Sequence, residues 1–152
     1  MQRLLVALDG SPRAEGVLRI AALLAQKYEA ELILFRAVPH PTGVPVEALT
    51  ESPERFAEDL RAHARDELQV LLAKVGVTAT LQVVIGQPWH AICESAKGYD
   101  LIVIGSHGYG GLDRVLGTTA AKVVDHASCS VFVVKTGDGN GGAHEPRANT
   151  IS

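Results

Sequence analysis

Five short apolar runs alternate with stretches of helical periodicity, and this alternation constrains the fold more than any other feature. The runs are Leu4–Leu8, Glu31–Ala37, Thr80–Ile85, Leu101–Gly105 and Ser130–Lys135. Three of them are near-continuous in Val, Ile and Leu instead of alternating with polar residues, the pattern of strands covered on both faces of a parallel sheet. The partly polar "TLQVVI" at 80–85 suits a sheet edge. Between the runs, Ser11-Pro12 reads as an N-cap with proline at the first helical position, followed by an apolar face of Val17, Ile20, Ala21 and Leu24 as far as Tyr28. Ser52-Pro53 repeats the signal, with Phe56, Leu60, Ala64, Leu68, Leu71 and Leu72 at spacings of three and four. Pro88 opens a shorter helix through Ala96, and Thr118 or Thr119 opens the last, ending near Ala127. The order β-α-β-α-β-α-β-α-β predicts a doubly wound α/β fold, a five-stranded parallel sheet with helices on both faces.

At 152 residues the chain fits one domain with a full core, and 47% apolar with 20% charged residues fits a globular chain. The formal net charge of −3 leaves no basic footprint for nucleic acid, although backbone N–H groups can still bind an anionic ligand. No apolar run approaches the ~20 residues of a membrane helix. "MQRLLVALDG" lacks the pattern of a signal peptide. Cys93 and Cys129 form no CxxC pair and read as small packing residues of a reduced, cytoplasmic protein. The Pro-rich stretch 39–50 is expected to be a surface loop. Residues 1–136 are expected to form the domain and 137–152, with almost no apolar content, a flexible tail.

In such sheets a ligand sits at the carboxyl ends of the strands, where successive connections leave toward opposite faces. Two strand ends carry suggestive chemistry. "ALDGSPR" ends the first run with Asp9, which either contacts a ligand hydroxyl or metal or merely turns the chain with Gly10. Neither GxGxxG nor GK[ST] is present there. "GSHGYGGLDRVLGTT" follows the fourth run. Its Gly105 and Gly108 permit close approach of backbone to a ligand, and Gly110-Gly111 a hinge. Gly117-Thr118-Thr119 sets N–H groups and hydroxyls at a helix start, a natural place for an anion. His107 in this loop is either near phosphate or solvated. No HxxxH-type set points to a structural metal. His126 reads as a partner of the last helix's dipole, and Trp89 as packing at a helix start.

"GSHGYGGLDRVLGTTAAKVVDHASCSVFVV" resembles the C-terminal signature of the universal stress protein (UspA-like) family. "LLVALDGSPRAEGVLRIAALLA", "VVIGQP" and "YDLIVIGSHG" resemble its first strand and helix and its third and fourth strand ends. The resemblance implies strand order 3-2-1-4-5 and, in nucleotide-binding members, Gly-x-x-Gly, nine residues, then Gly-Ser/Thr. It implies binding of ATP, or of ADP or AMP, with Mg²⁺ accompanying the phosphates. Carried over, Gly105, Ser106, His107 and Gly108 cover the first part of that motif, and Gly117, Thr118 and Thr119 the second. Leu8, Asp9 and Gly10 match the strand-one end near the adenosine, and Val38 the backbone position facing adenine. Here eight residues separate Gly108 from Gly117, a one-residue deletion near Val115-Leu116. A shorter loop moves γ-phosphate contacts more than adenosine contacts, so the choice of nucleotide stays open.

The resemblance further implies a homodimer through the last strand, Ser130–Lys135, while charge and hydropathy point to no nucleic-acid or membrane partner. The expected role is a stress-response sensor or regulator. A nucleotide-free dimeric interaction module is the alternative, and a slow ATPase a third reading. The segment Gly105–Gly111 contains no Lys or Arg, and no catalytic residue is assigned.

Overall fold

The computed structural model describes residues 1–41, 45, 47, 50, 52–108 and 116–136. The strands are β1 (Arg3–Ala7), β2 (Glu31–Val38), β3 (Thr80–Ile85), β4 (Leu101–Gly105) and β5 (Ser130–Val134). The helices are α1 (Ala14–Tyr28), α2 (Pro53–Val75), α3 (Pro88–Ser95) and α4 (Thr118–His126). All strands pair in parallel in the order β3-β2-β1-β4-β5. The expected doubly wound sheet is therefore present, with "TLQVVI" on one edge.

Alternation along the central strand sorts the core into two layers. Leu4, Val6 and Leu8 pack with Val17, Leu18 and Ala21 of α1 and Leu68 of α2. Leu5 and Ala7 face the opposite side with Phe35, Ala91 and Ile92 of α3 and Ala120 and Val123 of α4. Leu4, Leu5, Val6 and Phe35 are wholly buried, and each such side chain contributes roughly 1.5–3 kcal/mol of burial.

Helix ends follow the residues present. Ser52 Oγ accepts from Arg55 N at 3.2 Å with Pro53 at the first turn, as expected. That helix runs on past Leu72 and stops at Gly76, whose φ of +76° favours glycine. The start of α1 departs from expectation: Ser11 Oγ accepts from Arg13 N at 3.3 Å, but Pro12 does not open the helix, which begins at Ala14. Asp9 Oδ1 accepts from Ser11 N at 2.9 Å, and Ser11 O accepts from Ala14 N at 3.2 Å. These bonds spend Asp9–Ala14 on a turn, so the cap position falls to Arg13. Trp89 packs as expected, with its indole 4.9 Å from the His126 ring in the last turn of α4. Gly110, Gly111, Asp113, Arg114, Val115 and 137–152 lie outside the described residues. No helix among those described is long and apolar enough to cross a membrane.

At the amino ends of the strands, Asp100 closes the sheet. Its Oδ2 accepts from Arg3 N at 2.8 Å and Gln2 N at 2.7 Å. The Arg3 amide, then that of Gln2, hold the carboxyl below its usual range. A depressed folded-state value stabilises above the ordinary carboxylate range and loses that stability as pH falls through the lowered value. Asp100→Asn should therefore lower the urea midpoint at pH 7 and flatten its fall below about pH 4. Urea titrations at several pH values check this, and parallel curves for both proteins would contradict it.

Candidate functional site

Between β2 and β4, strand order reverses on either side of β1, and the cavity lies there at the carboxyl ends of the strands. Its volume is about 490 Å³. Leu8, Asp9, Gly10, Val38, Gly105, Ser106, His107, Gly108, Gly117, Thr118 and Thr119 all line it, so segments far apart in sequence meet around one space. Ala7, Phe35, Ala37, Ile92 and Ile104 add apolar wall. One side is thus greasy and the other carries backbone, hydroxyls and charge.

The motif glycines answer first to the protein itself. A Cβ on Gly105 would lie 3.1 Å from Val17 Cγ2, and one on Gly117 would lie 3.1 Å from Ser106 O. One on Gly108 would lie 2.3 Å from Asp9 Oδ2. None of the three has positive φ. They are glycines because α1, the β4 exit and Asp9 come close, which also leaves bare backbone facing the cavity.

Asp9 performs the turn role and faces the loop as well. Its Oδ1 caps Ser11 N while its Oδ2 lies against Gly108. Val38 lines the cavity, with its carbonyl accepting Gly86 N at 2.9 Å.

Ser106 and His107 are buried and tied to the exit of β5. Thr136 N donates to Ser106 Oγ at 2.9 Å, and Ser106 N donates to Val134 O at 2.8 Å. His107 N donates to Thr136 Oγ1 at 3.3 Å, and Thr136 Oγ1 donates to His107 O at 3.2 Å. Ser106 Oγ lies 3.0 Å from His107 Nδ1. His107 is thus part of a buried network instead of a solvated loop residue. Gly117 N donates to Ser106 O at 2.8 Å, which seats the start of α4 beside it. Gly117 caps α4 without a side-chain bond, and the N–H groups of the following turn have no partner within the helix.

Two residues that sequence reasoning missed belong to this site. Thr136 holds the glycine loop through three of the bonds just described; a polar residue just past the last strand was the available signal. Arg13 lines the cavity, and its Nη1 donates to Gly108 O at 3.0 Å. A cation at a helix start opposes the macrodipole, so "SPRA" carried a signal that the residue has work elsewhere. Arg13 thus brings a cation from the β1–α1 turn to Gly108, within the segment Gly105–Gly111 that has neither Lys nor Arg.

This fold and cavity define a parallel α/β protein with a ligand-sized site at the switch point of its sheet. The universal stress protein family model matches residues 1–135, and the chain belongs to that family. It is 32% identical to universal stress protein Sll1388 of Synechocystis over 149 residues, covering 88% of this chain and 97% of that protein. Universal stress protein UspA from Lactobacillus plantarum has a similar structure, with TM-score 0.68, 29% identity, and coverage of 88% of this chain and 97% of that one. Two more distant structures share the fold. One is a universal stress protein in complex with cAMP, with TM-score 0.59, 24% identity and coverage of 90% and 98%. The other is that of Archaeoglobus fulgidus in complex with dAMP, with TM-score 0.60, 23% identity and coverage of 89% and 98%.

The contact between Gly108 and Asp9 can be tested without a ligand. A methyl at 108 fits only if the Asp9 carboxylate moves, which gives up its bond to Ser11 N. Gly108→Ala should cost about 1–2 kcal/mol in urea unfolding. In an Asp9→Ala background the same substitution should cost much less, because the obstructing oxygen is gone. Equal costs in the two backgrounds would place the strain elsewhere.

Proposed function

We propose that the cavity binds an adenine nucleotide, ATP or its products, and that the protein acts as a stress-response sensor or regulator through that binding. The observation that carries this reading is the meeting of Asp9, Gly105–Gly108 and Gly117–Thr119 around one cavity of about 490 Å³. Its apolar side suits a base. Its opposite side offers the first-turn N–H groups of α4, the Thr118 and Thr119 hydroxyls and bare glycine backbone, which suit phosphates. Two fold relatives were solved with cAMP and dAMP, both adenine nucleotides, which supports the same ligand class here. Within this reading Asp9 addresses the ribose, Val38 the base edge, and Thr118 and Thr119 the phosphates. A Mg²⁺ ion arriving with ATP would be held mainly by the phosphates, since Asp9 is the one carboxylate among the described lining residues.

The proposed assembly is a homodimer through Ser130–Lys135. β5 lies at the sheet edge with Phe132 exposed, and an edge of this kind is a template for pairing.

Denaturing the purified protein and chromatographing the supernatant should release an adenine nucleotide. Thermal scans should rise with added nucleotide: a ligand at 100 times its Kd adds ~2.7 kcal/mol, roughly 5–11 °C at this size. Gly108→Val should remove the shift, because a branched side chain displaces Asp9 and fills the phosphate side. No released nucleotide and no shift at millimolar ATP would favour the nucleotide-free dimeric module instead.

A further inference from the structure

The charges around the cavity are few and unevenly placed. Among the described lining residues, Asp9 is the acid and Arg13 and Arg36 are the arginines. Arg36 is committed outside the cavity to Glu67 of α2, where its guanidinium is the first cause of the lowered Glu67 pKa. Among the described residues, Asp9 and Arg13 are the charges that meet Gly108: Asp9 lies against its α-carbon, and Arg13 holds its carbonyl at 3.0 Å. His107, the residue before Gly108, lies beside the start of α4, with its Cα 3.6 Å from where a Gly117 Cβ would be. Arg13 and the anion-favouring start of α4 thus line the same cavity, with Asp9 a negative charge beside them.

We propose that Arg13 is the residue through which this cavity reads phosphate charge, favouring a nucleotide with a longer phosphate chain. This rests on the nucleotide-binding reading above. A guanidinium carries five donors in a planar fork, suited to binding a carbonyl and phosphate oxygens together. The electrostatics follow from the sign of each charge: removing the Arg13 charge leaves Asp9 less offset, and the resulting repulsion grows with each phosphate on the ligand. A latch that only shaped the loop would affect AMP, ADP and ATP alike. A charge reader would penalise them in ascending order.

The test is calorimetric titration of wild type and Arg13→Gln with AMP, ADP and ATP, without Mg²⁺, at low and high NaCl. Glutamine can still donate to Gly108 O but carries no charge. ATP affinity should fall on the order of tenfold or more, ADP affinity less, and AMP affinity by no more than about threefold. In wild type, ATP affinity should weaken with salt more steeply than AMP affinity, and Arg13→Gln should narrow that difference. Equal losses for all three nucleotides, or none, would overturn the proposal, as would equal salt slopes in wild type. Equal wild-type slopes overturn the proposal even if Arg13→Gln folds poorly. A wild-type protein that binds no nucleotide at all would instead overturn the nucleotide-binding reading and this proposal with it, a result distinct from the others.

Discussion

The parallel pairing of β1 with β4, Leu4–Ala7 against Leu101–Ile104, is the contact on which the rest of the molecule depends. It joins the half built from β1, β2 and β3 to the half built from β4 and β5. Its residues are buried on both faces, so the pairing is flanked by two apolar layers instead of one. Because the two strands are parallel and in register, their carboxyl ends stop side by side. "LDGSPR" and "GSHG" must then leave the sheet together, and the cavity is the space between these departing chains. A slip of register by one residue would invert which side chains face each layer. Core and site are thus fixed by the same hydrogen-bond ladder.

That dependence explains what could be read from the amino-acid order. The Val, Ile and Leu runs showed strands covered on both faces, and turn residues at Ser52-Pro53 and Pro88 placed two helix starts. Periodicity alone does not give strand order; the family resemblance supplied it, and the order β3-β2-β1-β4-β5 matches. The start of α1 was misread for a specific reason. Ser-Pro is a strong local signal, and Ser11 Oγ does accept from Arg13 N at 3.3 Å, but Ser11 O also accepts from Ala14 N in a tight turn, so the helix begins only after that turn.

The site was legible in its glycines and illegible in its clamps. Glycine density announces close approach, yet the approaching groups are Val17, Ser106 and Asp9, residues whose proximity only the fold establishes. Thr136 and Arg13 lie 29 and 95 positions from the loop residues His107 and Gly108 that they hold by bonds of 3.3 and 3.0 Å. No spacing rule links them. Arg13 did leave a trace, as a cation placed where a helix start disfavours one.

Anchoring of the loop at both ends bears on how the site works. Residues 106–108 are fixed to β5 through Thr136 and to α1 through Arg13 and Asp9, while Gly117 is fixed to Ser106. The two ends of the loop are therefore held before any ligand arrives, and the cost of ordering them is met by the fold. A deletion of one residue between Gly108 and Gly117 consequently leaves both anchor points in place and shortens only what spans them. The same clasp joins the loop to β5, the strand at the sheet edge. An event that moves Ser106 or His107 acts directly on the hydrogen bonds of Val134 and Thr136, so the cavity and the edge share one set of bonds and cannot shift independently.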